Sequence, residues 1–166
     1  MNTLLKAIEY ASKAHKAQRR KYDDSPYINH LIEVAFLLSN VAKINDINIL
    51  QAAVLHDVLE DTEISETQLQ SDFNQIVFNY IKALSDDKEL TLEERKQEQL
   101  KHIENAEVAV KLIKLADLTS NISSIPKSWD KTRSEVYVKH CSSLAALCSS
   151  ASSDLYTEFK NRLKQL

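Results

Sequence analysis

The stretch AVLHDVLED, residues 53–61, places a histidine and three acidic residues inside an apolar run. Together with the apolar residues that precede it, this stretch predicts a helix over 47–59 with little surface facing solvent. An unpaired carboxylate is costly to bury, so such a helix needs a compensating cation or an opening to water. The stretch therefore predicts a binding site at the centre of the fold.

The absence of glycine favours an all-α fold. The 166 residues include no glycine and two prolines, whereas average glycine usage is about 7%. Hairpins and phosphate-binding loops depend on glycine, so their absence favours helices joined by short polar loops. The length fits one domain spanning residues 1–166.

Apolar periodicity and capping residues predict the other helices. Ser65 with Gln68, and Thr91 with Glu94, have the spacing of capping boxes at helix starts. A break near Asn74 separates two short helices. The remaining predicted helices cover 3–20, 30–41, 77–84 and 106–121, with one or two closing helices over 132–165.

The net charge, the lack of a long apolar segment and the two cysteines indicate which partners and which cellular location to expect. A net charge of −3 provides no field suited to a nucleic-acid backbone or an acidic membrane surface. No long apolar segment is present, so we expect a cytoplasmic protein without a signal peptide. Cys141 and Cys148 would lie roughly 10 Å apart on one helix, which predicts reduced cysteines.

The acidic stretch also has the spacing of a metal site. On a continuous helix His56 shares a face with Glu60, and Asp57 shares one with Asp61. An adjacent histidine and aspartate cannot enclose a metal, so further ligands must come from elsewhere. The alternative is an acidic patch at a helix C-terminus, which the helix dipole disfavours.

His30 and Asp117 are the candidates for these further ligands, because each stands at the end of a predicted apolar element. Two imidazoles and two carboxylates suit a divalent ion such as Mn, Fe or Zn and leave positions open for water or substrate. Asp117 could instead cap the polar segment that follows it. The other histidines are interpreted as packed or surface residues: His15, His102 and His140.

The order of these residues resembles the HD-domain metal-dependent phosphohydrolases. Three blocks are similar to the hydrolase domain of RelA/SpoT homologues, above all to the stand-alone small alarmone hydrolases. They are RRK at 19–21 with YINH at 27–30, LHDVLEDT at 55–62, and KLADLTSN at 114–121. The resemblance covers nearly the whole chain.

The resemblance implies a single helical HD domain that holds one Mn²⁺ through four ligands: His30, His56, Asp57 and Asp117. It implies removal of pyrophosphate from the ribose 3′ position of ppGpp and pppGpp, which gives GDP or GTP. The chain is shorter than the long relatives that also carry synthetase and regulatory domains, so we expect it to degrade alarmone and not to make it.

The resemblance also implies roles for the surrounding residues. Glu60 and Asp61 match the catalytic acidic pair, with Glu60 favoured for orienting the attacking water. Arg20 and Lys21, with Arg19, match the residues that neutralise the pyrophosphate; the structural alternative is a basic helix C-terminus. Asn121 is expected at the ribose, and Tyr137 and Lys96 at the rim of the substrate site.

Several alternatives remain open. A related phosphohydrolase could act on another nucleotide, such as NADPH or a nucleoside phosphate, or counteract a toxin. A catalytically silent alarmone-binding or partner-binding module is the alternative from a different class. The expected partner is a small nucleotide and neither nucleic acid nor a membrane, and the prediction leaves a homo-oligomer open.

Overall fold

The computed structural model describes residues 2–166, and within them the chain forms ten α-helices and no named strand. The predicted all-α fold is confirmed, although Met1 of the predicted domain lies outside the described residues. The helices are α1 (Asn2–Ala14), α2 (Ile28–Asn40), α3 (Ile47–Leu55), α4 (Val58–Asp61), α5 (Glu66–Asp72), α6 (Gln75–Leu84), α7 (Leu92–Asn105), α8 (Val108–Ile122), α9 (Lys131–Leu147) and α10 (Ser153–Leu163).

Side-chain caps fix several helix starts. Both predicted capping boxes form, Ser65 with Gln68 at α5 and Thr91 with Glu94 at α7. Asn74 accepts a hydrogen bond from the Val77 amide and begins α6, which confirms the predicted break. Small polar residues thus satisfy amide groups that the first turn of a helix leaves without partners.

The core is built around α3 and α8. Every residue from Ile49 to Leu55 is buried, as are eleven of the residues of α8. Helix α3 packs against α1, α2 and α6, while α8 packs against α2, α9 and α10. Cys141 and Cys148 are buried and free, as predicted.

The first helix is shorter than predicted, because α1 ends at Ala14 and not at residue 20. Residues 18–27 form a loop instead, closed by hydrogen bonds from the Arg20 amide to the Ser25 carbonyl (2.8 Å) and from the Tyr27 amide to the Gln18 carbonyl (3.1 Å). The basic residues 19–21 therefore lie in this loop. The alternative that they form a basic helix C-terminus is wrong.

The predicted helix over 47–59 is also interrupted. Helix α3 ends at Leu55 and α4 begins at Val58, with His56 and Asp57 between them. Asp57 has φ −94° and ψ −1°, a sparsely populated region where many active-site residues lie. Adjacent side chains on a continuous helix diverge by about 100°. The break instead lets His56 and Asp57 face the same point.

Among residues 2–166, no helix has both the length and the apolar character that a membrane crossing requires.

Candidate active site

Three separate places in the fold bring four ionisable side chains to one point. His30 lies in the first turn of α2, His56 and Asp57 lie in the break between α3 and α4, and Asp117 lies within α8. His30, His56 and Asp117 are buried, and each offers a ligand atom within 4.8 Å of the others. The Asp57 Oδ2 atom lies 3.1 Å from His56 Nε2 and 3.7 Å from His30 Nε2.

This group, here called the His/Asp cluster (His30, His56, Asp57 and Asp117), fits a divalent cation. The Nε2 atoms of both histidines are buried and form no hydrogen bond within the described residues. Asp117 Oδ1 nevertheless lies 3.3 Å from His30 Nε2 and 3.6 Å from His56 Nε2. The two imidazole nitrogens thus lie beside two carboxylates without a hydrogen bond of their own, as expected for ligands of one ion.

The electrostatics of the cluster also favour a cation. Burial alone would lower the pKa of His56, but the charges of Asp57 and Asp117 outweigh it and hold this pKa well above its usual value. Burial likewise opposes ionisation of Asp117, yet Lys114 and the two histidines hold its pKa well below the usual value. The charge on His56 likewise holds the pKa of Asp57 below its usual value against the effect of burial. Both carboxylates are therefore ionised, and their negative potential lies at the convergence point.

Each cluster residue is oriented by a further contact. His56 Nδ1 lies 2.8 Å from the Ala53 carbonyl oxygen. A carbonyl only accepts, so Nδ1 carries the proton and a neutral His56 keeps its Nε2 lone pair for a ligand. The Tyr27 hydroxyl donates to Asp57 Oδ2 at 2.6 Å.

Asp117 is held on both oxygens. Lys114 Nζ donates to Oδ2 at 3.1 Å and Asn121 Nδ2 donates to Oδ1 at 2.5 Å. The sequence analysis missed Lys114 and Tyr27 as site residues. Both lie within the quoted blocks, and Lys114 precedes Asp117 by three residues on one helix, a spacing that places the two side chains together.

A cavity of about 240 Å³ with a basic wall opens beside the cluster. We call it the basic cavity, and six of the predicted site residues line it: Arg19, Arg20, Lys21, Asp61, Asn121 and Tyr137. Tyr27 and Trp129 line it as well. Tyr27 and Asn121 also bond cluster carboxylates, so the cavity adjoins the cluster.

A chain of polar contacts joins the basic cavity to the cluster. Arg20 Nη1 donates to Asn121 Oδ1 at 3.0 Å, and Asn121 in turn donates to Asp117. The Arg20 guanidinium also lies 5.8 Å from the centre of the Tyr27 ring. An anion bound by the Arg20 guanidinium would therefore be connected to the Asp117 carboxylate through the side-chain amide of Asn121.

Part of the cavity wall is aromatic. The Tyr137 and Trp129 rings meet edge to face with their centres 5.3 Å apart, and Arg133 lies 4.2 Å from the centre of the Trp129 ring. The sequence analysis missed Trp129 and Arg133. The sole tryptophan of the chain, next to a helix start at Asp130, was the available signal.

Glu60 and Asp61 face different surroundings. Asp61 accepts a hydrogen bond from Gln18 at 2.8 Å and lines the basic cavity. Glu60 accepts from the Asp86 amide at 2.7 Å and lines a separate cavity beside residues 85–89. Burial raises the pKa of Glu60 to about 7, although the Asp86 amide opposes this. The break at 56–57 interrupts the continuous helix on which the common face of His56 and Glu60 was predicted.

Lys96 is not brought to the basic cavity. It lies on α7, with its Nζ 4.0 Å from a Glu93 carboxylate oxygen, and it is not among the residues lining that cavity. His15 is buried and stacks on Tyr27 with ring centres 5.1 Å apart. His140 Nε2 bonds Gln99 at 2.8 Å. His15 and His140 are thus packed by neighbouring side chains, as interpreted from the sequence.

Comparison with known proteins agrees with this geometry. Residues 7–163 match the HD domain family. The human protein named guanosine-3′,5′-bis(diphosphate) 3′-pyrophosphohydrolase MESH1 is 34% identical over 98% of this chain and 93% of its own length. The Xenopus tropicalis protein of the same name is 38% identical over 84% of this chain and 80% of its own.

A solved structure gives the same result. It is described as a metazoan ortholog of SpoT that hydrolyzes ppGpp and plays a role in starvation responses. It superimposes with a TM-score of 0.93 and 31% identity, covering 99% of this chain and 96% of that one. The resemblance found in the sequence is therefore confirmed. This chain belongs to the HD domain family, as a relative of the MESH1 proteins.

Proposed function

We propose that this protein hydrolyses the 3′-pyrophosphate of ppGpp and pppGpp, releasing pyrophosphate and GDP or GTP. The observation that carries the proposal is the basic cavity, which opens directly beside the buried His/Asp cluster and is linked to it through Asn121. The names of the MESH1 relatives and the description of the solved SpoT ortholog support the choice of substrate.

We propose that the cluster holds one Mn²⁺ through four ligands: His30, His56, Asp57 and Asp117. When bound, such a cation lowers the pKa of a coordinated water and neutralises charge on a phosphoryl oxygen. The free Nε2 atoms and the ionised carboxylates support a divalent ion. The choice of Mn²⁺ rests on the family resemblance.

In this proposal the basic residues 19–21, in the loop 18–27, bind the pyrophosphate. Arg20 is partly buried and already oriented by Asn121, so its guanidinium can engage two phosphate oxygens at once. Lys21 and Arg19 are exposed at the edge of the cavity, where they add positive charge. Asn121, between Arg20 and Asp117, positions the ribose end of the substrate.

Glu60 and Asp61 handle protons. A carboxylate with a pKa of about 7 exchanges a proton readily at neutral pH, which suits Glu60 for the attacking water. Asp61 lines the basic cavity, and in this proposal it acts as a general acid or base at the phosphate end of the nucleotide. The Tyr137 and Trp129 rings offer an apolar face to the base. Lys96 stays a predicted rim residue without a contact to support it.

We propose that residues 1–166 act as one domain, since a single hydrophobic cluster includes residues from Ala7 to Phe159. The cytoplasmic location and the homo-oligomer stay predictions.

The test is product analysis on ppGpp with purified protein and Mn²⁺, together with measurement of bound metal. We expect pyrophosphate and GDP in equal amounts, and no products from a double variant, His56→Ala with Asp57→Ala. No turnover by protein with confirmed bound metal would contradict the proposal. A panel with pppGpp, NADPH and nucleoside phosphates separates the related hydrolases, and nucleotide binding without turnover would identify the silent binding module.

A further inference from the structure

A chain of short hydrogen bonds begins at the second ring nitrogen of His30. The Nδ1 atom of His30 lies 2.8 Å from Ser120 Oγ, and Ser120 Oγ lies 2.7 Å from Glu33 Oε2. The other oxygen of Glu33 accepts from Arg162 Nη1 at 2.7 Å. The chain therefore connects the cluster to α8, α2 and finally α10.

The ionisation of Glu33 sets the direction of every proton in this chain. Burial raises the pKa of Glu33, but the hydrogen bonds from Arg162 and Ser120 outweigh it and bring the pKa below its ordinary value. An ionised carboxylate only accepts, so the single hydroxyl proton of Ser120 points to Glu33. The Ser120 oxygen must then accept from His30, and the proton of a neutral His30 lies on Nδ1.

We propose that Ser120, Glu33 and Arg162 are positioning residues that fix the ring orientation and tautomer of His30, so that its Nε2 lone pair faces the His/Asp cluster. The inference rests on the proposed metal site. Metal-binding histidines commonly donate their other N–H to an acceptor, and loss of that acceptor typically weakens metal binding by about 10–100-fold.

The rings of the two cluster histidines are oriented by different groups, a backbone carbonyl for His56 and a side chain for His30. Side-chain substitutions can therefore test the orientation of His30 alone. His56 donates to a backbone carbonyl, which no side-chain substitution removes. His30 depends on a serine with no solvent exposure and on a glutamate that is held by a residue of the C-terminal helix. Arg162 is itself fixed by Glu158 at 2.8 Å and by the Thr119 carbonyl at 3.2 Å.

The test compares Ser120→Ala and Glu33→Gln with a matched control, Thr119→Val. Thr119 is equally buried and adjacent, but its hydroxyl bonds the Leu115 carbonyl at 2.6 Å and lies outside the chain. We expect calorimetry to show Mn²⁺ binding weakened by about tenfold or more in Ser120→Ala and Glu33→Gln, and unchanged in Thr119→Val. Should Ser120→Ala fail to fold, Glu33→Gln carries the test, because the Glu33 side chain is 37% exposed.

A second readout is independent of turnover. In ¹⁵N-labelled protein loaded with diamagnetic Zn²⁺, we expect a protected Nδ1–H signal from His30, which exchanges rapidly with solvent in Ser120→Ala. Wild-type Mn²⁺ affinity in both Ser120→Ala and Glu33→Gln would overturn the inference, but it would not contradict the proposed hydrolysis of ppGpp. If the two variants bind Mn²⁺ more weakly but the wild-type protein does not hydrolyse ppGpp, the inference is supported and the proposed substrate is overturned. A wild-type protein that binds no Mn²⁺ would overturn both.

Discussion

Lys114→Met tests whether the negative charge of Asp117 needs a nearby cation, either the Lys114 ammonium or a metal ion. The Lys114 ammonium lies 3.1 Å from Asp117 Oδ2, with the two side chains 17% and 9% exposed. Removing one partner of a buried ion pair costs about 3–5 kcal/mol, because it leaves the other charge buried alone. Since Lys114 retains some exposure, we expect the metal-free variant to lose about 3 kcal/mol of its free energy of unfolding.

Mn²⁺ should reduce this loss, because a cation at the cluster compensates Asp117 in place of the ammonium. By linkage, Lys114→Met then binds Mn²⁺ more tightly than the wild type does. The assay is thermal and urea unfolding of metal-stripped and Mn²⁺-saturated protein. For a chain of this size we expect the melting temperature of the metal-free variant to fall by roughly 6–12 °C.

Lys111→Met is the matched control, because Lys111 lies one turn earlier on the same helix and donates to an exposed backbone carbonyl, that of Glu104. We expect it to change stability by no more than about 0.5 kcal/mol, as surface substitutions usually do. An equal loss of stability for Lys114→Met with and without Mn²⁺ would refute the reasoning, since Lys114 would then act through packing alone.

Three further predictions concern activity and metal binding. Arg20→Ala should lower kcat/KM for ppGpp by about 10–100-fold, mostly through KM, because a charge-assisted hydrogen bond contributes roughly 1.5–3 kcal/mol; steady-state kinetics measure it. Tyr27→Phe should weaken Mn²⁺ binding, measured by calorimetry, because Asp57 loses its 2.6 Å hydroxyl donor. Because the Glu60 pKa is raised to about 7 and a base must be unprotonated, kcat should fall as the pH decreases through this value, and Glu60→Gln should abolish that step of the pH profile.

Each of these predictions has a contradicting outcome. Unchanged KM in Arg20→Ala would remove this residue from the pyrophosphate site; Lys16→Ala, on the exposed surface, is its control. Wild-type Mn²⁺ affinity in Tyr27→Phe would show that the hydroxyl does not orient Asp57. A Glu60→Gln enzyme that retains wild-type kcat and pH dependence would leave Asp61 as the remaining acidic candidate.

The fold class and the helix starts were predictable because their causes are local. The absence of glycine indicated helices, and the side chains of Ser65 and Thr91 cap helices within three residues of themselves. The two wrong helix boundaries coincide with contacts to a residue that is distant in the sequence. His15 stacks on Tyr27 beyond the end of α1, and the break at Asp57 is accompanied by a hydrogen bond from the same tyrosine.

The site was predictable only in part. Block spacing identified the four residues that converge in the cluster, but it gave no sign of the groups that orient them. Glu33 and Arg162 are 129 residues apart in the chain, and no local pattern links two such positions. Lys96 shows the converse: the resemblance predicted it at the substrate rim, but its Nζ atom lies 4.0 Å from a Glu93 carboxylate oxygen and does not line the basic cavity.

The break between α3 and α4 divides the cluster into two halves of different origin. His56 and Asp57 are neighbours in the chain, so a few backbone dihedral angles set their separation even before distant helices pack. His30 and Asp117 reach the same point only when α2 and α8 have docked against α3. A bound cation would therefore join one local pair to two long-range partners, and its affinity would report directly on how completely these three helices are assembled.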